Sequence, residues 1–154
     1  MAIEEGKKAP LFTLLDQFGK KVALRELAGK DVIVFFYPKD FTPGCTKEVC
    51  GFRDHYKDIR KTGAVVLGVS MDDAESHKKF RREHKLPYRL LTDANHKMME
   101  KYDAYGEKMM YGKTRMGVIR STVWIGKDGK VVKHWKRVSR AADHPEKVLQ
   151  ALTA

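Results

Sequence analysis

The chain has 154 residues, of which 42% are hydrophobic and 33% charged, and a formal net charge of +11. That is the length of one ordinary domain with one core, and the balance is that of a globular chain with a polar surface. No apolar run approaches the roughly 18 residues of a membrane span, and residues 1–8 lack the apolar stretch of a secretory signal, so a cytoplasmic protein with no membrane partner is expected. A basic protein attracts nucleic acid non-specifically. Here the basic residues are spread along the chain, with only short clusters such as His77-Lys78-Lys79-Phe80-Arg81-Arg82 and Lys133-His134-Trp135-Lys136-Arg137. These read as wet helix and strand positions rather than a nucleic-acid face.

Strand and helix patterns alternate throughout, which predicts an α/β sandwich and one domain over residues 1–154. Lys21-Val22-Ala23-Leu24 is a short strand after the turn signal Gln17-Phe18-Gly19-Lys20. Residues 31–37 form a continuous apolar run suited to a central strand buried on both faces. From Pro43 to about Lys61 the pattern is helical, with Val49, Phe52, Tyr56 and Ile59 at spacings of three and four. Pro43 suits a first helical turn, where its missing N–H would be unpaired in any case. Residues 64–69 are the next buried strand, and residues 70–73 offer N-cap chemistry for a helix reaching about Lys85. Residues 88–91 are a short strand, and Asp93 or Asn95 caps a helix containing Met98, Met99 and Tyr102. Residues 104–117 show no clear period and read as a loop with marginal local structure. Ser121-Thr122-Val123-Trp124-Ile125 and Val131-Val132-Lys133-His134-Trp135 flank a Gly-containing connection and form a hairpin. His144 and Pro145 open the last helix. The methionines and Trp124 and Trp135 read as packing residues rather than a metal or base-stacking site.

The most informative segment is Pro38-Lys39-Asp40-Phe41-Thr42-Pro43-Gly44-Cys45. It follows the central strand and places Cys45 where a helix begins. A thiol there faces unpaired backbone N–H groups and the positive end of the helix dipole, which favour the reactive thiolate. The second and last cysteine, Cys50, lies five residues on. Four intervening residues separate the pair from the Cys-x-x-Cys spacing of disulfide exchangers. Zinc is disfavoured, because two cysteines and six scattered histidines, with His55 the nearest, make no four-ligand set. On one intact helix the two side chains sit about 140° apart and their Cα atoms roughly 8.6 Å apart. A disulfide needs about 4.4–6.8 Å, so bonding requires that the first turns unwind. That makes a two-state element, and opening a helix end opposes few packed contacts.

A thiolate can attack a disulfide, a carbonyl, a metal or a peroxide, and the surroundings favour the peroxide. The Thr42 hydroxyl can bond a small polar substrate. The N–H groups of Gly44 and Cys45 can stabilise the negative charge that develops on the leaving oxygen. Pro38 and Pro43 stiffen the turn. Attack yields a sulfenic acid, which a nearby thiol such as Cys50 converts to a disulfide.

Pro38-x-x-x-Thr42-x-x-Cys45 resembles the peroxiredoxin active-site motif, and Thr42-Pro43-Gly44-Cys45-Thr46-Lys47-Glu48-Val49-Cys50 resembles the bacterioferritin-comigratory, or Q-type, subgroup. Ala9-Pro10-Leu11-Phe12-Thr13-Leu14, the strand at residues 65–70 and the stretch at residues 117–125 fall in the family's order. Leu11 and Trp124 depart from its usual residues, away from the chemistry. The resemblance implies a thioredoxin-like fold, with a central mixed β-sheet flanked by helices and an N-terminal β extension. It implies a thiol-dependent peroxidase acting on hydrogen peroxide and organic hydroperoxides, with no metal or other cofactor. It carries the peroxidatic role to Cys45, the resolving role to Cys50, and substrate positioning to Thr42 and Pro38. It also makes Arg120 the active-site arginine, a fixed cation able to stabilise a thiolate and to donate to both peroxide oxygens. Glu48, one turn after Cys45, is placed to orient Arg120. Thioredoxin or a glutaredoxin-like dithiol is the expected electron donor. An internal resolving cysteine needs no second subunit, so a monomer is expected. The competing reading is a peroxide-sensing redox switch, or a basic protein shielding nucleic acid, in which the cysteines act once as a trigger.

Overall fold

The apolar run after Asp31 forms β3 (Val32–Phe36), and every residue of it is buried. Successive side chains point to opposite faces of a strand, so this one element nucleates two cores. Val32, Val34 and Phe36 join Leu67, Val69, Leu91, Met98, Met99 and Tyr102 on one face. Ile33, Phe35 and Tyr37 join Val49, Phe52, Ile59, Phe80, Leu90 and Val148 on the other. The computed structural model from which these contacts are taken describes residues 3–154.

In chain order the elements are β1 (Thr13–Asp16), β2 (Lys21–Ala23), β3, α1 (Pro43–Asp54), α2 (Tyr56–Lys61), β4 (Val65–Ser70), α3 (Ala74–Glu83) and β5 (Arg89–Thr92). They continue with α4 (Lys97–Lys101), β6 (Tyr105–Met110), β7 (Lys113–Val118), β8 (Ser121–Ile125), β9 (Val131–Trp135) and α5 (His144–Thr153). Seven strands make one mixed sheet in the order β2-β1-β5-β4-β3-β8-β9. β3, β4 and β5 run parallel, and β8 joins β3 antiparallel. The β1–β2 hairpin pairs onto β5 and is the N-terminal extension. α1, α2, α3 and α5 supply the buried side chains of one face, and α4 those of the other.

Two close approaches set α1 on the sheet. Gly68 leaves room for Phe35, since a Cβ there would lie 2.8 Å from the Phe35 ring. Phe35 in turn stacks on Phe52 of α1 at 4.4 Å between ring centroids. Gly51 lets α5 cross close by, because a Cβ there would lie 2.7 Å from Pro145 Cγ.

Two expectations change. The helix expected from Pro43 to Lys61 breaks at His55 (φ −97°, ψ 2°), which ends α1 and precedes α2. Residues 104–117 are not a loop but the separate hairpin β6–β7. Its turn residues, Tyr111 and Gly112, both have positive φ (53° and 77°), as a two-residue type I′ turn requires. The first five residues of β7 are not buried, and Met109 of β6 is exposed. The alternation that reveals a half-buried strand is therefore missing.

His144 links the C-terminal helix to the sheet. Its Nε2 lies 2.7 Å from Thr122 Oγ1, and its ring meets Phe52 and Trp135 edge-on. Burial, with the charges of Lys147 and Arg120, pushes the imidazole down from 6.5 to about 4. As pH falls through this window the unfolded chain takes up the proton first. The associated stability is complete above about 6.5 and lost towards 4. Relative to His144→Gln, the wild type should lose ~3 kcal/mol of unfolding free energy between pH 7 and pH 4, read from urea midpoints. Parallel curves for the two proteins would refute this.

Candidate active site

The site forms where β3 ends. Phe36 pairs with Ser121 in the antiparallel register with β8, so the residue before Ser121 stands at the same edge as the turn that follows β3. That residue is Arg120. Its carbonyl accepts from the Val138 N–H at 2.8 Å, and the Ile119 N–H bonds the Ala104 carbonyl at 2.7 Å. The backbone on both sides of the guanidinium is thus fixed.

Cys45 lies in the first turn of α1 and is 1% exposed. Arg120 Nη2 donates to its Sγ at 3.3 Å, and Arg120 Nη1 donates to Glu48 Oε1 at 2.7 Å. The guanidinium runs close to the helix backbone, and a Cβ at Gly44 would stand 3.3 Å from Nη2 and press it back by a few tenths of an ångström. Cys45 and Glu48, three apart, face the same side of the helix, and one planar guanidinium spans both. Glu48 is fully buried. Burial pushes its carboxyl up to about 7, although the charge and hydrogen bond of Arg120 act to lower it. Its second oxygen, Oε2, is buried and has no hydrogen-bond partner among the described residues. Burial lowers the Arg120 guanidinium, but Glu48 and Cys45 outweigh it and hold it above its ordinary value.

Thr42 is the N-cap of α1, yet its hydroxyl makes no cap bond. It donates to the Lys39 carbonyl at 2.7 Å instead. Its oxygen lone pairs are left to accept. The first helical bond runs from the Thr46 N–H to the Thr42 carbonyl, and Pro43 has no N–H. Gly44 and Cys45 therefore carry backbone donors with no acceptor inside the helix. Pro38, half-buried, starts the turn one residue after Tyr37.

Cys50 lies on the same helix, half-buried, and both thiols are free. Its thiol is pushed up by burial and by Asp54, against the opposing charge of Arg53. With α1 wound continuously from Pro43 to Asp54, both cysteines sit on one intact helix, the arrangement in which they cannot bond without unwinding.

Sequence reasoning did not single out Lys108. Its ammonium donates to the Val118 carbonyl at 2.8 Å, and it is lowered by burial and by the nearby cations Arg120 and Arg137. It stands on the hairpin read as a loop, which hid it. Asp40 lies within the motif, where the sequence alone gives it no role. It is buried and takes three side-chain hydrogen bonds.

A mixed sheet flanked by helices, with a cysteine opening the helix that follows its central strand, defines a thiol protein of the thioredoxin-like fold. Residues 5–134 match the AhpC/TSA family. Peroxiredoxin Bcp of Bacillus subtilis is 44% identical over 152 residues, which are 99% of this chain and 96% of that protein. Among solved structures, the bacterioferritin comigratory protein of Xanthomonas campestris superposes with a TM-score of 0.89 at 34% identity, covering 97% of this chain and 98% of that one. Peroxiredoxin Q of the same organism gives a TM-score of 0.86 at 37% identity, with 92% and 89% covered. The chain belongs to the AhpC/TSA family and is a peroxiredoxin of the Bcp and Q kind, a thiol-dependent peroxidase. Among the described residues, no helix is long and apolar enough to cross a membrane.

The raised carboxyl of Glu48 has a stability consequence opposite to that of His144. An unfolded glutamate releases its proton near 4.5 and the folded one near 7. The native state holds the extra proton in between, so this stability is complete below 4.5 and lost as pH rises through 7. Raising the pH from 5 to 8 should destabilise the wild type relative to Glu48→Gln in denaturant titrations. A constant gap between the two proteins would show that Glu48 is ionised throughout.

Proposed function

We propose that the chain reduces hydrogen peroxide and organic hydroperoxides, with Cys45 as the peroxidatic cysteine and Cys50 as the resolving one. The observation that carries this is the guanidinium of Arg120, held between Cys45 Sγ at 3.3 Å and Glu48 Oε1 at 2.7 Å. The Cys45 thiolate attacks one peroxide oxygen, so the S–O bond forms as the O–O bond breaks. The second oxygen leaves as alkoxide or hydroxide and takes a proton from solvent. Negative charge moves from sulfur to that oxygen, and donors fixed around its path act where the charge develops. Arg120 follows the charge. The Gly44 and Cys45 N–H groups meet it at the helix mouth. Thr42, its own proton committed to Lys39, accepts the peroxide O–H and so orients the substrate. Pro38 holds the turn.

The sulfenic acid on Cys45 is then attacked by Cys50 once the start of α1 unwinds. A disulfide forms and water departs. Thioredoxin or a glutaredoxin-like dithiol restores both thiols. A resolving cysteine within the same chain makes a monomer sufficient, and such donors fit a cytoplasmic setting. Support for organic substrates comes from the Xanthomonas campestris relative, which is described by its alkyl peroxide reduction activity.

Cys45→Ser should abolish turnover. Cys50→Ser should consume one equivalent of peroxide and then stop with thioredoxin as donor. Mass spectrometry of the peroxide-treated wild type should show residues 45 and 50 linked within one chain. Sustained turnover by Cys45→Ser would end the proposal, and a wild type that stops after one equivalent with the donor present would favour a sensor. Arg120→Lys keeps a charge but cannot span sulfur and carboxylate together. It should slow the attack on peroxide at least ten-fold in stopped-flow measurements.

A further inference from the structure

The turn between β3 and α1 contains a strained residue. Phe41 has φ +64°, a left-handed conformation that a bulky side chain adopts only where its surroundings hold it. It directly precedes Thr42. Its ring packs on Phe80 of α3, with centroids 5.0 Å apart.

The residue before it supplies the hold. The Asp40 carboxylate accepts from Tyr37 Oη at 2.6 Å and from Ser76 Oγ at 2.9 Å, and lies 2.7 Å from His77 Nδ1. The Asp40 backbone N–H donates to Asp72 Oδ2 at 2.9 Å, which also accepts from Ser70 Oγ at 2.6 Å. His77 Nε2 lies 3.1 Å from the Leu91 carbonyl. A carbonyl only accepts, so Nε2 carries a proton. A further proton lies between Nδ1 and Asp40 Oδ2. Burial and the Asp40 charge push the Tyr37 phenol well up, which keeps it a donor. The ligand atoms of Asp40, Asp72 and His77 lie within 4.8 Å of one another, but those of Asp40 and His77 are already committed to protein partners. The cluster therefore reads as a clamp.

We propose that Asp40, locked by His77, Ser76 and Tyr37, is the positioning residue that fixes the turn carrying Thr42 and the start of α1 for attack on peroxide. The clamp ties the turn to β3, β4, α3 and β5 at once, none of which has to move when α1 unwinds. It lies two residues before Thr42 and five before Cys45. It acts on the peroxide step, where the Thr42 oxygen and the Gly44 and Cys45 N–H groups must converge on one small molecule. It has no part in the closure of Cys45 onto Cys50. The inference rests on the roles proposed above for Cys45 and Thr42.

The test separates the two steps in single-turnover experiments on reduced protein. Asp40→Ala should lower the second-order rate of Cys45 oxidation by H2O2 about ten- to a hundred-fold, the scale expected when a reacting geometry slips by about 1 Å. Closure of the 45–50 disulfide should not be slowed. Asp40→Asn, which keeps the shape and an acceptor for Tyr37, should recover part of the loss, and Ser76→Ala should show a smaller loss in the same step. A folded Asp40→Ala that reacts with peroxide at the wild-type rate overturns the inference. So does equal slowing of both steps with loss of near-ultraviolet circular dichroism, which marks a packing role alone. If Asp40→Ala does not fold, Asp40→Asn and Ser76→Ala decide by the same criterion. A wild type inert to peroxide would sink the proposed function, whereas an active wild type with an equally active Asp40 variant sinks only this inference.

Discussion

One guanidinium organises the site. Arg120 reaches Cys45 Sγ and Glu48 Oε1 from a single planar group, and most features of the surrounding fold serve that placement. The β3–β8 register brings the arginine to the end of the central strand. The α1 repeat sets sulfur and carboxylate on one side of the helix. Gly44 spares the guanidinium a tight contact with a side chain. A lysine could neutralise one partner, but only the fork of an arginine bonds two in fixed directions.

Burying this arrangement is costly, and the structure shows where. Removing a carboxylate from water disfavours its charged form more than one bound arginine restores it. Glu48 accordingly sits high, with one oxygen unpartnered. Lys108, itself lowered by burial and by the charges of Arg120 and Arg137, adds like charge nearby. In the proposed reaction negative charge passes from the Cys45 sulfur to the leaving oxygen, and Arg120 is placed to follow it.

Much of this was legible in the sequence, for identifiable reasons. β3 announced itself because it is buried on both faces and carries no alternation. The start of α1 was marked by Pro43, and the pairing of Glu48 with Arg120 followed from helical spacing once Arg120 was placed. Arg120 itself was not legible from pattern. An arginine before a strand resembles any surface charge, and only the family likeness singled it out. The β6–β7 hairpin was missed because exposure on both faces erases period-two alternation and because its turn is Tyr-Gly rather than Asn-Gly. The Asp40 cluster was invisible for another reason. Its members, at positions 37, 40, 70, 72, 76 and 77, come from two segments, residues 37–40 and 70–77, that the parallel pairing of β3 with β4 draws together.

The start of α1 carries both halves of the proposed cycle, attack by Cys45 and unwinding toward Cys50. A threonine at an N-cap normally bonds the amides of the first turn and contributes about 1 kcal/mol to the helix. Thr42 does not, since its proton goes to Lys39. Two consequences follow from that one diverted bond. The Gly44 and Cys45 N–H groups remain available to a substrate oxygen, and the first turn of α1 lacks the cap that would resist unwinding. Further along, Phe52 stacked on Phe35 and Gly51 against Pro145 hold the helix to the sheet and to α5. The helix is thus held at its middle by packing and in its first turn by the Arg120 bonds to Cys45 and Glu48, with no side-chain cap on its N-terminal amides. An ordinary cap would stabilise the first turn and occupy an amide of Gly44 or Cys45, so the proposed attack and the proposed unwinding both depend on its absence.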